Sequence, residues 1–348
     1  MLGKLRIYII LGLSLLLWAS CNTTKFVPQD QCLLNKAKIK CVDDKTVATN
    51  ELRSYLRQRQ NTEIFGFWKL QLHIYNTAPL DTTTKSKKRL ARNAHKMGEA
   101  PVIYDDEMTA ISMQQLRLQM SNMGYFHAEV DTQKTVKDRK VNLTYLVTAN
   151  EPYKIRHYEV DIPEPAVRKI AEDERCKVKS GQQFSASTLD EERQRIATAL
   201  RNRGYYYFEK SMLEFTADSS LNTHEVDIRI HFAPYVEHLS EEELARIWRQ
   251  YSVRQMYYQI DYEPNHLPDS VELHQASDKY GNVYSWTGNR FLRNDALRRS
   301  CRIRAGQRFA ERRVERTYAR MNALGPVKYV DISFTPVGDS LQIGRAHV

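Results

Sequence analysis

Three times along this chain a helix with one apolar stripe runs into a glycine, and after the glycine the apolar period drops to two. The copies are Asn122-Met123-Gly124-Tyr125-Phe126, Asn202-Arg203-Gly204-Tyr205-Tyr206 and, more weakly, Asn322-Ala323-Leu324-Gly325-Pro326. Aligned on the glycine, the apolar residue four before it is Met120, Leu200 or Met321, and about one turn further back stand Leu116, Ile196 and Tyr318. Residues three or four apart share a helical face, so each copy predicts a buried stripe, with the glycine as a left-handed stop. Beyond the first glycine Phe126, Ala128 and Val130 alternate, then Val141, Leu143, Tyr145 and Val147. The second copy alternates at Val226, Ile228, Ile230 and Phe232, after turn residues at 218–222. Repetition on this scale predicts a modular array rather than one large core.

The flanking segments extend the pattern. Leu33 to Val42 is a predicted strand, Thr49 to Gln60 a short helix with Leu52, Tyr55 and Leu56 on one face, and Glu107 to Met123 the first long helix. Trp68 to Tyr75 predicts a strand from the alternation of Leu70, Leu72 and Ile74. The second copy is more compact: strand Tyr153 to Asp161, helix Glu164 to Glu172, helix Ser187 to Arg203, then a hairpin from Tyr205 to Phe232. Ser187 and Asp190 resemble a capping box with Asp in place of Glu. The third copy opens at Val253 to Tyr262 and carries an insertion from Glu263 to about Arg290. Its Gly306-Gln307-Arg308-Phe309 then repeats Gly181-Gln182-Gln183-Phe184 ahead of the same helix. Tyr329 to Phe334 is its first hairpin strand and Pro336 to Ser340 the turn, with no returning strand expected. Residues 343–348 reproduce one reading frame of a common sequencing adapter, which marks them as a non-native tail and the natural protein as continuing past Gln342.

At the other end, Lys4 and Arg6 precede an apolar run from Ile7 to Leu17, too short to span a bilayer comfortably and in the charge order of a secretory signal. The run ends Leu17-Trp18-Ala19-Ser20-Cys21. Small residues directly before a cysteine resemble a bacterial lipoprotein cleavage box, with Cys21 as the lipidated residue; the competing reading is an ordinary signal peptide whose cysteine is incidental. The domain reading is therefore a signal peptide at 1–20, a lipid-anchored tether at 21–32, a first domain with an insertion at 33–150, a second at 151–234 and a third, incomplete, at 235–342.

Charged residues make up 27 % of the 348 and the net charge is +10. A basic surface suits nucleic acid, anionic lipid or an acidic partner, and export removes nucleic acid. Lys85-Ser86-Lys87-Lys88-Arg89 is then either a solvated face or a contact with anionic headgroups. Cys32 and Cys41 flank a predicted strand that holds its ends roughly 30 Å apart at 3.3 Å per residue, beyond disulfide reach. Free or buried thiols are expected for these and for Cys176 and Cys301.

Strand-helix-helix-strand-strand units in tandem, with a Gly-x-x-Phe entry and a Gly-Tyr exit, resemble POTRA domains. The lipoprotein signal, Phe26-Val27-Pro28 and Leu33-Leu34-Asn35-Lys36 are similar to the start of the lipidated Bacteroidetes relatives of TamA and BamA, the outer-membrane assembly factors. The resemblance spans roughly residues 21–342. It implies an α+β array of POTRA-like domains in the periplasm, an outer-membrane β-barrel further along the chain, and envelope assembly subunits as partners.

A three-stranded mixed sheet has exposed edges that can accept an extended client strand, such as an unfolded barrel protein, through backbone hydrogen bonds. The competing possibility is that charge merely blunts them. Tyr205-Tyr206-Tyr207-Phe208 forms either a client-binding face or, since alternate strand residues point opposite ways, two core and two surface side chains. No P-loop, dinucleotide fingerprint, Gly-x-Ser-x-Gly or His-Glu-x-x-His occurs. The histidines do not pair at metal-ligand spacing, so no catalytic, metal or cofactor residue is expected. Two functions follow: an outer-membrane assembly or translocation factor, or a lipid-anchored periplasmic scaffold without a barrel.

Overall fold

The computed structural model describes residues 23–173, 175–219, 223–260, 274–286, 290–338 and 340–347. The chain divides into two compact units, Met1–Tyr153 and Lys154–Val348.

In the first unit the order is β1 (Leu33–Cys41), α1 (Thr49–Leu52), α2 (Leu70–Asn76), α3 (Lys85–Met97), α4 (Asp106–Asn122), β2 (Glu129–Lys137) and β3 (Lys140–Thr148). β3 is central, parallel to β1 and antiparallel to β2. Its inward residues Val141, Leu143, Tyr145 and Val147 are all buried, as their alternation predicts. They meet Leu116 and Met120 from the stripe of α4. Asp105 caps that helix, its carboxylate accepting from the N–H groups of Glu107 and Met108.

Three expectations change here. The helix at 49–60 stops early: a 3-10 turn, Arg53–Tyr55, follows α1, and Leu56 is extended. Leu56 thereby enters the core, and the Gln60 side chain accepts a 2.5 Å bond from Ala37 N–H of β1. The predicted strand at 68–75 is largely helix, and the buried residues Lys69, Leu72 and Asn76 stand three and four apart. Over so short a run the leucine alternation fits either period, and packing of Leu72 against Val27 and Leu33 decides it. The expected tether is docked where it is described, from Thr23 onward. Lys25 Nζ donates to Asn76 O at 3.1 Å and Ala78 O at 2.5 Å, and the Phe26 ring packs 5.4 Å from Tyr75 and 5.5 Å from His95.

The second unit holds two repeats. The first runs β4 (Lys154–Asp161), α5 (Pro165–Ala171), α6 (Ala186–Arg201), β5 (Leu213–Asp218) and β6 (Glu225–Phe232), in the sheet order β4-β6-β5. Ser185, not Ser187, caps α6, accepting from Thr188 N–H. Asp190 instead pairs with Arg193 and Lys210. α7 (Pro234–Glu237) and α8 (Glu241–Trp248) bring Val236, Ile247 and Trp248 onto this core. Ser240 and Glu243 close a capping box at the start of α8.

The second of the two repeats runs β7 (Ser252–Gln259), β8 (His274–Ser277), β9 (Val283–Trp286), α9 (Asn294–Ser300), α10 (Glu311–Asn322), β10 (Asp331–Val337) and β11 (Ser340–His347), with sheet order β10-β11-β7-β9-β8. The returning strand expected to be missing is thus present. β11 lies antiparallel to β10, with Phe334 opposite Ile343, and parallel to β7, with Ile343 opposite Met256. A ladder is built from backbone groups, so the slot between two strands is filled by whatever sequence follows the turn. Residues 263–273 and 287–289 of the expected insertion lie outside the described residues; in the rest of it β8 and β9 extend the sheet beyond β7, and Tyr284 stacks on Tyr258 at 4.9 Å.

One device recurs in all three repeats and has no counterpart in the sequence patterns above. Each long helix carries a buried polar side chain that accepts the N–H of the loop opposite: Ser112 Oγ from Arg57 at 3.0 Å, Glu192 Oε2 from Lys177 at 2.9 Å, Thr317 Oγ1 from Arg302 at 2.8 Å. The glycine stop holds twice, at Gly124 (φ 93°) and Gly204 (φ 106°), whereas Gly325 is not left-handed. The chain is an α+β array of strand-helix-helix-strand-strand repeats.

Candidate functional site: the sheet edges

The edges of these sheets are not equivalent. On the first strand of every repeat, the segment entering the long helix closes the start of the edge. In the first unit Leu34 N–H donates to Val102 O at 2.8 Å and Tyr104 N–H to Cys32 O at 2.8 Å. In the second unit Ile155 N–H donates to Gln182 O at 2.8 Å and Gly181 N–H to Ile155 O at 2.7 Å. The bonds of Val253 to Gln307 (2.8 Å) and of Gly306 to Val253 (2.7 Å) repeat them. This explains the Gly-x-x-Phe entry. Gly181 and Gly306 take φ of 81° and 79° so that the chain can turn back against the strand, and the phenylalanines Phe184 and Phe309 are buried. The first unit makes the same closure with Val102 to Tyr104 and no glycine, which is why sequence comparison missed it. In the last repeat β9 also pairs with Tyr257–Gln259 of β7.

The opposite edge, formed by β2, β5 or β10, has no strand neighbour on its outer side among the described residues. Only its start is plugged by the long helix. Arg117 Nη2 donates to Val130 O at 2.9 Å, Arg193 Nη1 to Leu213 O at 3.0 Å, and Tyr318 Oη accepts from Ile332 N–H at 2.8 Å. β2 is the longest of the three, and every residue of it except Val130 is exposed. Asp131, Lys134 and Lys137 place charge along it, a common guard against edge-to-edge aggregation. Lys134 Nζ is tied to Asp106 at 3.0 Å. Hydrogen bonds from Tyr104 and Lys134 hold the Asp106 carboxyl below its usual range.

The aromatic quartet resolves differently from a simple alternation. Tyr205 and Phe208 are buried in the core of their repeat. Tyr206 and Tyr207 are half-buried, because the segment is a turn and not a strand. Tyr206 lies 5.1 Å from Phe309 and 5.6 Å from Phe334, so it fills the joint between the two repeats of the second unit. Gly204 O accepts Tyr251 N–H at 2.8 Å, and Arg201 pairs with Glu311 at 2.6 Å across the same joint. The bond recurs in the first unit, where Gly124 O accepts Tyr153 N–H at 2.8 Å. The Gly-Tyr exit is therefore a docking element for the residue that opens the next strand.

Cys21 lies outside the described residues. Cys32, Cys41, Cys176 and Cys301 are free thiols, and burial pushes the Cys176 thiol up to about 11. Among the described residues no group of three His, Cys, Asp or Glu side chains is placed to hold a metal. No helix among them is long and apolar enough to cross a membrane.

No family model matches the chain, and no curated protein matches it. Among solved structures, POTRA3–5 of BamA from Haemophilus influenzae is 15 % identical with a TM-score of 0.41, over 92 % of this chain and 98 % of that one. POTRA1–3 of the periplasmic domain of Omp85 from Anabaena is 12 % identical with a TM-score of 0.27, covering 91 % and 95 %. The N-terminal domain of Omp85 from Thermosynechococcus elongatus is 11 % identical with a TM-score of 0.27, covering 92 % and 97 %.

Proposed function

We propose that this chain is the periplasmic array of an outer-membrane assembly factor, anchored by lipid on Cys21, and that it receives extended segments of unfolded barrel proteins. The observation that carries the reading is the asymmetry of the edges. In each repeat the start of the first-strand edge is closed by the chain's own backbone, while the second-strand edge is plugged at its start only by a side chain of the long helix. Backbone pairing along that edge gives affinity that depends little on client sequence, which suits a factor with many clients.

The test is an NMR titration with an unfolded barrel-strand peptide. A Kd of about 1 μM to 1 mM is expected, with shifts along β2 and β5. N-methylation of the peptide amides facing the protein should abolish binding, and scrambling that keeps the alternation should not. Capture of folded envelope proteins with no response to the peptide would instead favour a scaffold. The anchor is checked separately: a fatty-acid probe in a bacterial host should label the wild type and miss Cys21→Ala, and equal labelling of both would refute it.

A further inference from the structure

We propose that the lobe inserted into the first unit, residues 62–99, is a lipid-contact surface that lays an aromatic turn and a basic helix on an anionic bilayer. The proposal rests on the anchored reading of Cys21. The lobe is closed at its base by Asn61 Nδ2 donating to Ala100 O at 2.7 Å and Thr62 N–H to Glu99 Oε2 at 2.8 Å. Among the described residues no lobe of this kind separates α5 from α6 or α9 from α10.

At its tip, Ile64 and Trp68 pair backbone to backbone at 2.8 and 3.1 Å. The turn between them puts Phe65 at φ 55° and Gly66 at φ 76°. A bulky side chain in the left-handed region is a genuine outlier, and strain of this kind persists at sites with a task. The side chain so placed is not packed away. Phe65 is 84 % exposed, Phe67 76 % and Trp68 44 %. Folding gains nothing from holding two phenylalanines in water, whereas aromatics of this kind sit well at a headgroup boundary.

The helix that follows supplies the charge. α3 buries Ala91 and Ala94 and exposes Lys85, Lys88, Arg89, Arg92 and Lys96. Among the described residues none of these five has a carboxylate partner, because the lobe's three acids are engaged elsewhere: Glu63 lies 4.0 Å from Lys69, Asp81 pairs with Lys87 at 2.7 Å, and Glu99 accepts from Thr62.

What selects a bilayer over a protein partner is where the chain enters the fold. Lys25 and Phe26 are bound directly to α2 and α3, and Thr23 stands only two positions after Cys21. At about 3.6 Å per residue that is a reach of roughly 7 Å. A lipidated Cys21 therefore tethers the lobe beside the bilayer through the end of it that Lys25 and Phe26 hold, and a cation that comes within a Debye length of the headgroups is attracted to anionic lipid.

The experiment is flotation of the unacylated chain from residue 22 onward, which retains every described residue, with vesicles of phosphatidylcholine alone or containing phosphatidylglycerol. Binding to the anionic vesicles is expected. It should weaken about fivefold for each of Lys85, Lys88 and Arg89 changed to Gln, and roughly tenfold or more in Phe65→Ser/Phe67→Ser. Phe65→Gly supplies a readout that a packing role would not move as expected: relief of the backbone should raise thermal stability while vesicle binding falls. Absence of flotation with anionic vesicles, or flotation unchanged by these variants, would overturn the proposal. So would loss of a protein partner in the same variants without any vesicle binding, which would assign the lobe to that partner. Because the chain tested carries no lipid, its result is independent of the Cys21 labelling result.

Discussion

Glu192→Ala is expected to destabilise the second unit by about 3–5 kcal/mol, the range for removing one partner of a buried ion pair. Glu192 is fully buried in the middle of α6. It accepts from Arg195 Nη2 at 2.6 Å and Nε at 2.8 Å, and from Lys177 N–H at 2.9 Å. The variant leaves the loop amide without its acceptor and the guanidinium with Ala171 O alone, at 2.6 Å, and without its counter-charge. Burial opposes ionisation of Glu192, but the hydrogen bonds from Arg195 and Lys177 outweigh it and hold the carboxyl below its usual range. A depressed folded value stabilises the fold above the unfolded value of about 4.3, and that contribution is lost as pH falls through the folded value. The stability gap between wild type and Glu192→Gln should therefore narrow under acid. Denaturant unfolding across pH measures it; a loss below about 1 kcal/mol in Glu192→Ala, no more than an ordinary hydrogen bond, would show that the site relaxes.

Leu200→Ala is expected to cost about 2–5 kcal/mol, since the side chain is fully buried among Ile196, Tyr205 and Phe208. If the repeat is physical, Met120→Ala and Met321→Ala, which remove equally buried side chains, should fall in the same range. The glycines four residues on should separate. At Gly204 an added Cβ meets Arg308 Cγ at 2.7 Å and Cδ at 2.9 Å, and φ is 106°, so Gly204→Ala should cost about 1–3 kcal/mol in strain. Gly325 has nothing within 4 Å of an added Cβ, and Gly325→Ala should stay within about 0.5 kcal/mol. Equal effects at the two positions in thermal melts would contradict the assignment of Gly204, and not Gly325, as the left-handed stop.

The repeat was legible because it is local. The stripe Leu116 and Met120, the stripe Ile196 and Leu200, and the alternation of Val141 to Val147 each report one element against one core, and all of these side chains are buried as expected. The cap of the second long helix was legible only to within two residues, since Ser185 and not Ser187 accepts from the first turn. Residues 68–75 were not. Three alternating apolar positions fit a strand or a short helix, and only the docking of Leu72 against Val27 and Leu33 selects the helix.

The candidate site was legible only in outline. Open edges follow from a three-stranded sheet, but which edge is open depends on backbone groups far apart in sequence. Gly181 closes onto Ile155 and Gly306 onto Val253; no pattern within either segment names the other. The pairing of β11 with both β10 and β7 was hidden likewise, since backbone ladders form irrespective of how a segment's side chains read. The apolar stripes of the long helices, the alternation of the central strands and the left-handed Gly124 and Gly204 are written in neighbouring residues, and those the sequence determined. Edge closure and the joint around Tyr206 arise where distant segments meet, and only the tertiary structure decided them, because their energy lies in contacts that exist only once the chain has folded.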